Sequence, residues 1–175
     1  MGILKMRTPL YWIDGPWPGR LGTMPRPRGG DWLREEVESW QSAGVHVVVS
    51  ALERQEIAEL ELEDEESNCK AMGLEFYSYP IPDRGVPASI QSTAVFLQSK
   101  LAQLADGKNL AIHCRAGIGR SSLLAACLLM MSGDADSRIA FRRISKARQC
   151  PVPDCKEQEE WVSRFARHYS KKDSD

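Results

Sequence analysis

The chain has 175 residues, 42% of them hydrophobic and 27% charged, which fits one soluble globular domain, 1–175, able to bury a sizeable core. A formal net charge of -1 gives no global attraction to nucleic acid, so no nucleic-acid partner is expected and any anion site must come from local arrangement. No stretch reaches the length of a membrane span and the first residues lack a signal-peptide apolar core, so a cytoplasmic protein is expected.

In chain order, the Pro/Gly-rich region 15–30 reads as turns around a short strand near Arg20–Thr23. Asp31 is expected to cap a helix over 32–44 that stops at Gly44. The β-branched run Val45–Val49 reads as a buried strand. Residues 53–72 are rich in Glu and read as one helix or two short ones presenting a solvated face. Leu74–Tyr79 alternates as a strand does, and the proline-rich segment 80–87 must be a loop. An amphipathic helix is expected over 89–105, with Ile90, Val95, Leu97, Leu101 and Leu104 on its apolar face. A strand at 109–113 and helices at about 120–132, 135–148 and 156–169 complete the pattern. Alternating strands and helices predict an α/β fold: a central, mainly parallel twisted sheet of four to five strands with helices on both faces.

The stretch His113-Cys114-Arg115-Ala116-Gly117-Ile118-Gly119-Arg120-Ser121 joins the last predicted strand to a helix. Glycines at 117 and 119 allow backbone N–H groups of residues 115–120 to turn into one concavity, and the helix beginning near Arg120 adds its positive dipole end. This describes a phosphate cradle, one that would also hold sulfate or vanadate. It lacks the lysine and spacing of an ATP-binding loop. A thiolate at Cys114 would be stabilised by those donors, which lowers a thiol pKa and makes a nucleophile aimed at phosphorus. Arg120 offers a planar fork for two phosphate oxygens. Ser121 can donate to the sulfur, and His113 is expected to hydrogen-bond backbone near the cysteine. The five cysteines are odd in number, with no CxxC pair, so reduced thiols and no metal site are expected.

His-Cys-x5-Arg-Ser/Thr resembles the signature of the cysteine-dependent protein tyrosine phosphatases. The resemblance extends over roughly residues 12–168 and is nearest to the small atypical dual-specificity type. It implies hydrolysis of phosphate monoesters through a cysteinyl-phosphate, with no cofactor, on phosphorylated protein or peptide, by a monomer. It also implies an aspartic acid on a mobile loop about thirty residues upstream. Asp83, 31 residues before Cys114 on the proline-rich loop, fits that place and is favoured over Asp64 and Asp106. Gln158 matches a glutamine that helps place the attacking water in several such enzymes. Arg84 and Arg115, with Arg26 and Arg28, are candidates for the approach to the site. The long domain and phosphotyrosine-recognition loop of the tyrosine-specific enzymes have no equivalent, so phosphoserine and phosphothreonine are expected besides phosphotyrosine. Tensin-type phosphoinositide phosphatases carry lysines where this chain has Arg115 and Ile118, which makes lipid or another non-protein phosphate the alternative substrate. A phosphate-binding pseudoenzyme is the other alternative, disfavoured because the cysteine and the acid are both present.

Overall fold

A computed structural model describes residues 7–172, with side chains described through residue 169. Five strands form one sheet: β1 (Tyr11–Ile13), β2 (Leu21–Met24), β3 (Val47–Ser50), β4 (Glu75–Ser78) and β5 (Leu110–His113), in the spatial order β1-β2-β5-β3-β4. β1 runs antiparallel to β2 and every other pairing is parallel. The described residues also form seven α-helices: α1 (Leu33–Ser42), α2 (Arg54–Glu59), α3 (Glu65–Ala71) and α4 (Ile90–Ala105) lie between strands, and α5 (Arg120–Met131), α6 (Ser137–Arg148) and α7 (Lys156–Lys172) follow the last one.

The two faces of the sheet follow from the strand period of two. Val47, Val49, Leu110 and Ile112 enter the core formed with α4 to α7, while Val48 and Ala111 enter the core formed with α1 and α3. β5 lies between β2 and β3, buried at every residue, and its carboxyl end delivers Cys114 to the edge of the sheet. α5 begins directly behind that loop. Eleven of its twelve residues are buried, so the helix carrying Arg120 is a core element.

Most expected elements fall within a residue or two of their places. The acidic stretch forms two short helices, α2 and α3. Three expectations need correction. Asp31 makes no capping bond: it sits in a 3-10 turn, Gly30–Trp32, ahead of α1. The entry is set instead by packing, for the Gly30 amide donates to the Glu61 carbonyl at 2.9 Å. Val95 is 69% exposed, on the outer side of α4. The acidic segment is no uniformly solvated face, since Glu56 and Glu65 are both buried.

Candidate active site

The loop after β5 is held open from outside. Arg148, on α6, donates to the Ala116 carbonyl at 3.1 Å and the Gly117 carbonyl at 3.2 Å. The Arg26 amide donates to the Arg115 carbonyl at 3.1 Å. Three successive carbonyls are thus engaged on the outer side of the turn. Gly117 sits at φ +69°, and a Cβ there would lie 2.6 Å from the Met24–Pro25 backbone. Glycine is required at this position by conformation and by space. Ile118 is half-buried and packs on the core.

Cys114 is buried at the mouth of this loop, and its thiol donates to Ser121 Oγ at 3.4 Å. Arg120 is buried beside it. One Glu56 oxygen accepts from Arg120 Nη1 at 2.7 Å and the other from Nη2 at 2.9 Å. Arg120 Nη1 also donates to the Ile81 carbonyl at 3.0 Å, and Nη2 to Asp83 Oδ1 at 3.0 Å. The guanidinium is therefore fixed by α2 and by the loop after β4 at once. Burial opposes its charge, but the bonds and charge of Glu56, with Cys114 and Asp83, hold its pKa above the ordinary arginine value.

Asp83 caps the site from that loop, its side chain 53% exposed, and its amide donates to Glu53 Oε2 at 3.4 Å. Arg84, next in the chain, is exposed and takes φ +55°. Gln158, on α7, is fully buried against Gly119, where an added Cβ would meet its carboxamide at 2.9 Å. The expected residues Cys114, Arg120, Asp83, Ser121 and Gln158 thus gather from the loop after β5, α5, the 80–87 loop and α7.

Others stand differently from expectation. His113 does not bond backbone: its Nε2 meets Glu65 Oε1 at 2.7 Å, because the side chain faces the core that β5 shares with α1 and α3. Arg28 is bound to Glu36 at 2.6 Å and stacks over Trp32. Arg26 donates to the Pro27 carbonyl. Arg115 leans on α2, 3.7 Å from Glu56 and 3.8 Å from Glu59. The residue that sequence reasoning missed is Glu56. It sits between Gln55 and Ile57 at the third position of α2, one Glu among many in an acidic run, and its role is legible only once α2 is placed.

A cysteine, an arginine and an aspartate around a strand-loop-helix cup at the carboxyl ends of a parallel sheet define the cysteine-based phosphatase architecture. Residues 10–170 match the family described as PTP-SAK, Swiss Army Knife protein, DSP-PTPase phosphatase domain, and the chain belongs to that family. It is 30% identical over 105 residues to cyclin-dependent kinase inhibitor 3 of Rattus norvegicus, covering 60% of this chain and 49% of that protein. A protein tyrosine phosphatase PRL-1 of Leishmania major is 25% identical over 107 residues, covering 57% and 60%. The chain spans about half the length of the first of these relatives. In three dimensions it is similar to kinase associated phosphatase, with a TM-score of 0.85 at 20% identity over 95% of this chain and 98% of that one. It is also similar to PTPMT1, with a TM-score of 0.76 at 20% identity over 94% and 98%. These likenesses bear out the mainly parallel α/β fold.

Proposed function

We propose that the chain hydrolyses phosphate monoesters on phosphorylated protein, phosphotyrosine and also phosphoserine or phosphothreonine, through a cysteinyl-phosphate and without a metal. The observation that carries this reading is the Arg120 fork, which sits beside Cys114 and touches Asp83 at 3.0 Å while Glu56 fixes it from behind.

In the first step the Cys114 thiolate attacks phosphorus. An S–P bond forms, the P–O bond to the leaving group breaks, and Asp83 gives its proton to the departing oxygen. Arg120 and the backbone N–H groups of residues 115–120 take up the charge of the equatorial oxygens. Ser121 stabilises the sulfur as it leaves in the second step. There a water attacks phosphorus, the S–P bond breaks, and Asp83 takes the water's proton. Asp83 is half-exposed and Arg115 is drawn onto α2, so neither side chain closes over the cup, which suits phosphorylated side chains of different lengths. Ile118 and the engagement of Arg115 by two glutamates offer little for the extra phosphates of an inositol lipid.

The test is hydrolysis of an aryl phosphate in the presence of a chelator. Wild type should turn over, Cys114→Ser should not, and Asp83→Ala should lose about 10²- to 10⁴-fold in kcat. Panels of phosphotyrosine and phosphothreonine peptides and phosphoinositides then choose the substrate. A folded, reduced wild type inactive on all of them would overturn the assignment.

A further inference from the structure

The segment that opens α7 grips the loop bearing Asp83. That loop is a tight turn in which the Gly85 amide donates to the Pro82 carbonyl at 2.7 Å. Its Arg84 stands at φ +55°, a conformation that side chains other than glycine seldom adopt without support. Both carbonyls that follow Asp83 are engaged. Cys155 Sγ donates to the Arg84 carbonyl at 3.5 Å, and Gln158 Nε2 donates to the Gly85 carbonyl at 3.1 Å. The other end of the Gln158 carboxamide accepts from the Asp154 amide at 3.1 Å. The same carboxamide packs against Gly119 in the cysteine loop, with no room for a Cβ between them. One buried side chain therefore touches both loops of the site.

We propose that Gln158, assisted by Cys155, is a positioning residue that latches the Asp83 loop to the cysteine loop and so acts in the first step, when the leaving group needs its proton. The inference rests on the function proposed above and assigns Gln158 a task other than placing water. Its acceptor oxygen is committed to the Asp154 amide and one donor hydrogen to Gly85. The strained turn at Arg84 has these two bonds to hold it where Asp83 reaches the leaving oxygen.

The two roles separate kinetically. kcat/KM reports the steps through release of the leaving group, whereas water placement affects only breakdown of the cysteinyl-phosphate. Gln158→Ala, Gln158→Met and Cys155→Ala would be assayed on aryl phosphates whose leaving groups range from acidic to weakly acidic phenols. Competitive inhibition by inorganic phosphate serves as the control for an intact cup. With the latch removed, kcat/KM for the least acidic leaving group should fall about tenfold, the worth of one hydrogen bond to the loop. The most acidic one, which needs no proton, should be unaffected. Cys155→Ala should shift the series the same way by a smaller factor, and decides the matter if both Gln158 variants fail to bind phosphate. A fall in kcat alone, with a burst of phenol and unchanged kcat/KM, would overturn the latch in favour of water placement. So would a leaving-group series parallel to wild type. An inactive wild type would instead strike at the proposed function, and an Asp83→Ala series that steepens while the other variants stay flat would strike only at the latch.

Discussion

A guanidinium as buried as that of Arg120 needs a fixed counter-charge, and both oxygens of Glu56 provide it. Burial pushes the Glu56 carboxyl up, but Arg120, the Glu53 amide and Arg115 outweigh it and hold the carboxyl below its ordinary value of 4.5. A depressed carboxylate contributes stability above its unfolded pKa, and that contribution is lost as pH falls through the folded value. Glu56→Gln leaves Arg120 only the half-exposed Asp83 as a counter-charge and should cost about 3–5 kcal/mol at neutral pH by urea unfolding. The gap to wild type should narrow as pH drops below 4.5, where wild type loses the same charge. Phosphate affinity should fall with it, because a freed guanidinium is no longer aimed at the cup. None of this was legible in the acidic run. Glu56 and Arg120 are 64 residues apart, and Glu65 and His113 are 48 apart, so no local period marks them. By contrast, the chemistry of Cys114, Arg120 and Ser121 was readable because the chain places it within eight consecutive residues.

The strand-loop-helix unit of β5, the cysteine loop and α5 can be disturbed at one atom. Gly117→Ala places a methyl 2.6 Å from the backbone at Met24 and Pro25 on a residue at φ +69°. It should cost about 1–3 kcal/mol and raise the inhibition constant for phosphate, measured by melting and by competition. Gly133→Ala is the matched control: its φ is +75° with nothing within 4 Å, so it should cost less and leave phosphate binding alone. At this scale the sequence marked where elements lie better than how they start. Ser89 and Asp136 cap α4 and α6 through their side chains, while α1 is entered through a turn fixed by contact with Glu61. The three-residue β1 went unread because pairing with β2 makes it a strand, aided by Arg148 over Tyr11 and Arg20 over Trp12.

Across the whole molecule, two cores share one sheet; the β-branched run marked a buried strand, but valine at three successive positions does not say that Val47 and Val49 enter one core and Val48 the other. The buried cation Lys100 on α4 was not legible either. Its ammonium lies 3.0 Å from the Tyr77 ring centroid and donates to Gln103 at 3.2 Å. Burial, only partly offset by Glu75, pushes its pKa down to about 8. For a base the sign is clear: between about 8 and its ordinary value of 10.5 the unfolded chain binds the extra proton, so this group's contribution to stability rises with pH. Lys100→Met should therefore match or exceed wild type near pH 7 in chemical denaturation, with any advantage shrinking above pH 8. A stability difference between the two that is flat with pH would contradict this. The burial of α5 has a consequence for time as well as for place. In deuterium exchange its amides should open only with global unfolding and be the last to gain mass. The end of the molecule that receives phosphate would then be set once, when the chain folds, and not rebuilt at each encounter.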